Sequence, residues 1–363
     1  MRSTATRWGS AAALLAVAAC AACTGGTEFV QTTFHPVSEY GASQNRTFVN
    51  TFVWTMGILA LVSVLLLYVI VRFRERPGQP RPKQIHGNTM LEITWTFVPA
   101  VIVMFIAVPA IGGVFEAQRR AADDALEVEV IGHQWWWEFR YPVEGVVTAN
   151  QLVLPVGREV HLRIRSADVV HSFWVPRIGG KRDAMPQPRT ADGERPRPNH
   201  MIFTVDEVGQ YRGQCAEFCG EAHAIMATHA LAVSPEEFEA WIPTMKDAPA
   251  PQAATVPAAR ETVEEQGMRI FLSKACIACH TVANTTAKGQ VGPSLTRFGA
   301  RPTVGAGAAA STAANVEQWI RDPQSMKAGV LMPGSQAAAG GFPPTGLTDD
   351  EVGAVAAWLV SLR

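Results

Sequence analysis

The sequence predicts a multidomain membrane protein: a helical hairpin, then a β-sandwich or barrel, then a small helical domain. Three observations carry this. Two charge-free apolar runs lie in the first third of the chain, period-two alternation begins at Leu126, and a Cys-x-x-Cys-His sequence follows a Pro/Ala-rich stretch. The 363 residues are too many for one small domain. Hydrophobic content of 48% is ordinary but unevenly spread, and a net charge of −1 gives no support for nucleic-acid binding or a basic membrane patch.

The N-terminus reads as a secretory signal over residues 1–19. Arg2 and Arg7 precede a short apolar run at 11–19, too short to span a bilayer. It ends Val17-Ala18-Ala19-Cys20, a small-residue pattern that predicts cleavage before Cys20 and lipidation there, with Cys23 as a competing site. Ordinary signal cleavage or a retained anchor are the other readings. Two spans follow within residues 20–120, at 47–71 and 93–115. Both exceed the roughly 20 residues that cross a bilayer as a helix. Buried soluble helices fit poorly, because runs this long would have no polar face. Their connector holds Arg72, Arg74, Arg76, Arg81 and Lys83 against Glu75, so the loop is expected in the cytoplasm and both flanks outside.

Residues 121–243 are expected to form the β domain. The stretches 126–131 and 160–165 alternate as half-buried strands, 201–205 and 229–233 are further strands, and Pro155-Val-Gly157 and Val208-Gly209 mark turns. Within this domain lies Cys215-Ala-Glu-Phe-Cys219-Gly-Glu-Ala-His223-Ala-Ile-Met226. Two thiolates, an imidazole and a thioether form a soft set that suits copper better than zinc. With His171 upstream, the donors suffice for a dinuclear copper centre with both sulfurs bridging. A structural zinc knot or a disulfide is the competing reading.

The segment 244–260 is Pro/Ala-rich and reads as a linker. Treated as a flexible coil, it reaches on the order of 20–25 Å, so the next unit is expected to stay near the β domain, where a weak polar interface suffices for docking. That unit, 261–363, opens with helical spacing over 261–274 and leads into Cys276-Ile-Ala-Cys279-His280. Two thiols at this spacing can add to the vinyl groups of one haem, with the imidazole under the iron. A thioredoxin-like pair would need a βαβ context, which is missing from the pattern. Met326 and Met332 are the candidates for a second axial ligand.

These residues carry a family resemblance. Val170-His-Ser-Phe-Trp-Val-Pro176, Gly180-Lys181 and 209–226 resemble subunit II of the haem-copper cytochrome c oxidases, and the C-terminal unit resembles a class I cytochrome c. The resemblance implies a cupredoxin-like Greek-key β-barrel holding the dicopper CuA centre, then an all-α cytochrome c domain. It implies that Cys215 and Cys219 bridge the coppers and that His171 and His223 each bind one. Met226 and the backbone carbonyl of Glu217 would be weak ligands, and the Glu217 side chain would share a magnesium with subunit I. Trp135, in Gly132-His-Gln-Trp-Trp-Trp-Glu, matches the tryptophan at which the family receives electrons; Trp136 and Trp137 read as barrel packing. Glu92 would sit at the cytoplasmic mouth of a proton pathway, or would simply cap its helix. Val291-Gly-Pro-Ser-Leu295, Trp319-Ile-Arg-Asp-Pro-Gln324 and a final helix at 349–362 match the cytochrome, which favours Met332 as the axial ligand and leaves Met326 as a surface or packing residue.

The implied function is electron input to a terminal oxidase. Electrons would pass from a donor, such as a cytochrome c or a quinol–cytochrome c reductase complex, to a covalent haem c on Cys276, Cys279 and His280, then to two coppers, then to haem in subunit I, where dioxygen is reduced and protons are pumped. Subunits I and III and the lipid bilayer are the implied partners, in a bacterial inner membrane with both cofactor domains outside. A stand-alone electron carrier is the alternative, disfavoured because a lipid anchor alone would hold a carrier. A quinol-oxidase subunit would lack the copper ligands. His35, His86, His133, His161, His200 and His229 belong to no ligand constellation, and no disulfide framework is needed. Two segments depart from the family: 186–199 is longer and more charged, and 304–314 is Gly/Ala-rich.

Overall fold

The computed structural model describes residues 31–78, 84–187, 197–246 and 261–363. The signal segment with Cys20 and Cys23, most of the linker, and parts of the 72–83 and 186–199 segments lie outside the described residues.

Two long helices come first among the described residues: α1, Glu39–Arg72, and α2, Thr89–Ala117. Both are long and apolar enough to cross a membrane, and their most apolar windows are wholly unburied by the rest of the chain. A helix apolar on all sides and covered by nothing is stable only in lipid or against partner helices. They pair as a hairpin: Asn50 Nδ2 donates to Phe105 O at 3.3 Å, and Trp54 stacks on Phe105. Thr47, Thr51 and Thr55 each return their hydroxyl to the carbonyl four residues back, which hides those hydroxyls from an apolar surround. Pro99 and Pro109 lie inside α2, where neighbouring groups can re-satisfy the freed carbonyls.

The helix α1 starts eight residues before the predicted span. Its first turn docks on the β domain: Tyr40 is buried, Thr204 N–H donates to the Glu39 carboxylate at 2.8 Å, and Ser38 bridges Val205. Ser43 Oγ donates to Glu116 Oε2 at 2.7 Å, tying the outer ends of the hairpin together. These contacts are polar, so apolar length alone could not reveal them.

Among the described residues the β domain has ten strands: β1 Leu126–His133, β2 Trp136–Tyr141, β3 Val146–Ala149, β4 Gln151–Pro155, β5 Glu159–Ser166, β6 His171–Trp174, β7 Arg182–Ala184, β8 Asn199–Thr204, β9 Gly209–Cys215 and β10 Ala227–Val233. They form two five-stranded sheets, ordered β3-β2-β1-β5-β8 and β4-β10-β9-β6-β7. Alternation in β1 and β5 sends Leu126, Val128, Val130, Val160, Leu162 and Ile164 inward at complete burial. Trp137, Phe139 and Phe173 fill the space between the sheets, with Trp137 edge-on to Phe173 at 5.2 Å. Tyr141 is buried because its hydroxyl both donates to Val153 O and accepts from Val153 N–H. A helix α3, Pro235–Lys246, closes the domain.

The C-terminal unit packs α4, Val263–Ser273, across α8, Asp349–Ser361. Each begins with a capping box, Thr262 with Glu265 and Thr348 with Glu351. The crossing is close: a Cβ on Gly267 would stand 1.9 Å from Ala354 O, so only glycine fits. Phe271 and Trp358 meet beside it, with ring centroids 4.9 Å apart. Between them run α5 Cys276–Cys279, the short strands β11 Thr303–Val304 and β12 Ala309–Ala310, α6 Ala313–Arg321 and α7 Pro323–Met326.

Candidate functional site

His171 lies 44 residues before Cys215, and the sheet order joins them. β6 and β9 are neighbours, with Phe173 paired to Cys215. His171 is the first residue of β6 and Cys215 the last of β9. His171 thus opens a strand, and its backbone pairs with Ala184 of β7. Residues 216–226 then loop over the sheet end, with a 3₁₀ turn at His223–Ile225 that brings His223 and Met226 back.

The donor atoms converge. Cys215 Sγ lies 3.7 Å from Cys219 Sγ and 3.9 Å from His171 Nδ1. Cys219 Sγ lies 3.6 Å from His223 Nδ1 and 3.8 Å from Met226 Sδ. The Cys215 thiol points at Glu217 O at 3.2 Å. A tetrahedral ion with sulfur at about 2.3 Å and nitrogen at about 2.0 Å sets its donors about 3.5–3.8 Å apart, so the spacing fits ions seated between these atoms. The two sulfurs are too far apart for a disulfide, whose S–S bond is about 2.05 Å. His171, Cys215, Cys219 and Met226 are buried and His223 is half-buried, which limits the access of water to the donors.

The electrostatics of the metal-free site follow from crowding. The hydrogen bond from the Cys219 thiol, aided by His171, holds the Cys215 thiol down at about 3, against burial. Cys219, facing that thiolate, is pushed up. Two anions this close need cations between them, and bound metal would draw off the remaining proton. Burial works to lower the His171 pKa, but hydrogen bonds to Asp168 and Cys215 outweigh it and raise it.

Sequence reasoning missed the groups that hold these ligands. Asp168 Oδ1 lies 2.8 Å from His171 Nε2 and the other oxygen accepts Gln134 N–H at 2.7 Å. This leaves Nδ1 of His171 facing the sulfurs. Gln134 Nε2 and Trp135 Nε1 both donate to Cys219 O, at 2.8 and 3.0 Å. An aspartate three residues before a ligand histidine is the one sequence signal that could have been weighed. Trp135 itself is 8% exposed, Trp137 is fully buried, and Trp136 is half-buried and stacked on His133. The Glu217 carboxylate accepts from Lys181 Nζ at 3.1 Å.

In the C-terminal unit, Cys276 and Cys279 bracket the single turn α5 and His280 follows it. His280 Nδ1 lies 2.8 Å from Pro293 O. Donation there leaves Nε2 free for an iron, the arrangement a ligand imidazole needs. Burial pushes both cysteine thiols up, which is the opposite of the lowered thiol of a reactive redox pair. Met326 packs against the core of this unit, as expected of a packing residue. Met332 is half-buried in the loop after α7. Glu92 accepts from Asn88 N–H at 3.1 Å, so its carboxylate completes the helix start.

Residues 31–112 match the family described as cytochrome c oxidase subunit II, transmembrane domain, residues 143–233 its periplasmic domain, and residues 264–363 the cytochrome c family. The chain is 36% identical over 324 residues to cytochrome c oxidase subunit 2 of Alkalihalophilus pseudofirmus, covering 86% of each chain. It is 34% identical to the Bacillus subtilis protein of the same name, covering 83% of each. Among solved structures, the periplasmic domain of subunit II of cytochrome oxidase of Bradyrhizobium japonicum is 30% identical, with a TM-score of 0.31 over 35% of this chain and 96% of that one.

Proposed function

The chain belongs to the cytochrome c oxidase subunit II family, and from that premise we propose that it is the electron-input subunit of a terminal oxidase that carries its own cytochrome c. Its electron-transfer role in a haem-copper oxidase, beside a subunit I, follows from the family. The finer reading is ours. His171, Cys215, Cys219, His223, Met226 and the Glu217 carbonyl hold two coppers, and Cys276, Cys279, His280 and Met332 hold a covalent haem c. When bound, these groups would supply one-electron chemistry, so that electrons taken up at the haem domain would reach haem in subunit I by way of the copper domain, and dioxygen would be reduced there with proton pumping.

This chain's residues exclude water, fix the donors and shield the transfer. The single observation that carries the reading is the buried convergence of His171 Nδ1, two sulfurs, His223 Nδ1 and Met226 Sδ within 3.6–3.9 Å links. A rigid, dry and pre-set donor cage is what rapid electron transfer requires, because little then rearranges when charge changes. We further assign Trp135 to receive electrons, Glu92 to the cytoplasmic mouth of a proton path, Glu217 to a magnesium shared with subunit I, and Cys20 to lipidation. The two helices cross the inner membrane with the cofactor domains outside, and subunit III completes the complex.

The test is the metal content of the purified membrane complex. Two coppers held by this chain, counted beyond any metal of subunit I, with a mixed-valence electron paramagnetic resonance signal, and one haem per chain that stays attached on denaturation, are expected. One zinc and no copper at this site would sink the reading. Cys219→Ser should leave at most one copper.

A further inference from the structure

The linker composition points to a loosely tethered haem domain, but the contacts are those of a fixed interface. Lys327, just after α7, is 2% exposed. Its Nζ donates to Trp135 O at 2.8 Å, Ile225 O at 2.6 Å and Gly305 O at 2.7 Å. An ammonium has three donors, and here all three are used. Two acceptors belong to the copper domain and one to the haem domain, so the side chain pins one to the other. Burial draws its pKa down to about 7, partly opposed by Cys219; the three carbonyls are what the buried nitrogen has in place of water.

Other contacts agree. Ala227 N–H donates to Ala306 O of the haem domain at 2.8 Å. Val330 joins the copper-domain core, and Trp319 packs against both cores. Gly329 has φ +81°, and a Cβ there would stand 2.8 Å from Glu221 Oε2 and 2.9 Å from Trp135 Cη2. The loop therefore packs against the benzo edge of the Trp135 indole, three residues before Met332. On its other side that indole donates to Cys219 O.

We propose that Lys327 is a clamp that holds the haem domain docked over Trp135, so that a soluble donor can reach the haem domain but not the tryptophan beside the copper site. The clamp stands on geometry alone; the exclusion of the donor rests on the reading of Trp135 in the proposed function. The Gly/Ala-rich 304–314 segment gains a purpose, since Ala306 O accepts from Ala227 N–H of the copper domain and Gly305 O holds Lys327 in place.

Hydrogen exchange of the full chain in its complex tests the clamp. The Ala227 amide has its partner in the other domain, so wild type should protect it strongly. Lys327→Met should speed its exchange about tenfold or more, with copper and haem content and the protection of β5 and α8 unchanged. Free exchange of Ala227 in wild type, or no change in the variant, overturns the clamp; the wild-type measurement alone decides if the variant fails to assemble. A second arm mixes the oxidised complex with reduced soluble cytochrome c and follows both centres by absorbance. In wild type the haem should fill first, and in Lys327→Met a fraction of copper should fill ahead of it. Protected Ala227 with copper filling first in wild type leaves the clamp standing and overturns the donor exclusion.

Discussion

Asp168 Oδ1 lies 2.8 Å from His171 Nε2, on the side of the ring away from the sulfurs. The carboxylate also accepts from the N–H groups of Gln134 and Val169. Burial works to raise its pKa, but the hydrogen bonds from His171 and those backbone groups hold it below the usual range. It therefore stays ionised at neutral pH and fixes the His171 ring with Nδ1 toward the site.

Asp168→Asn keeps the shape and removes the charge. Copper affinity should fall about 10–100-fold, the usual loss for a group behind a ligand histidine, while the fold and the haem spectrum persist. Competitive copper titration of the assembled protein measures this. Unchanged affinity would show that His171 is oriented by packing against Trp137 alone.

Glu138 predicts an acid limit. Burial tends to raise its pKa, but His133 at 2.8 Å and Arg140 at 2.5 Å outweigh it and lower the value below 4.5. A carboxylate depressed in the folded state contributes stability above its ordinary value and loses it as pH falls through the depressed one. The Tm of the copper domain should thus drop below about pH 4.5. Glu138→Gln should lower Tm at neutral pH and flatten that drop. A parallel acid slope in the variant would assign the loss to other carboxylates.

Gly267 predicts where the haem domain fails. Any side chain there meets the Ala354 backbone, so Gly267→Val must spread α4 from α8 at a cost of about 3 kcal/mol or more. The haem domain should unfold and lose its haem signature while the copper domain keeps its metals. Differential scanning calorimetry with metal analysis separates the two; simultaneous loss of both centres would mean that the docked interface couples their folding.

Legibility in the sequence tracked locality. The spans, the Cys215–Met226 loop and Cys276–His280 are local patterns of charge, softness and spacing, so they could be read from the chain. His171 could be joined to that loop only as a spare imidazole upstream or through a family resemblance, because sheet order rather than spacing places β6 beside β9. Glu39 and Tyr40 went unread because polar residues ahead of an apolar run carry no sign that they dock. Lys327 was invisible for the same physical reason. A lysine in a loop is ordinarily solvated, and only three carbonyls from two domains make its burial tolerable.

Met332 and Met326 separate ligation from packing. Met326 leans on the haem-domain core, so Met326→Ala should cost about 1–2 kcal/mol, below the full range for a buried methionine because it is only half-buried, and leave the haem spectrum and potential unchanged. Met332 lies in the loop that continues from Gly329, away from that core. Met332→Ala should alter haem ligation, lower its potential and slow oxidase turnover with the natural donor, leaving copper binding and Tm nearly unaffected. Redox titration followed by absorbance distinguishes the two residues. A potential that moves with Met326 and not with Met332 would reverse their roles and place the sixth ligand at the end of α7.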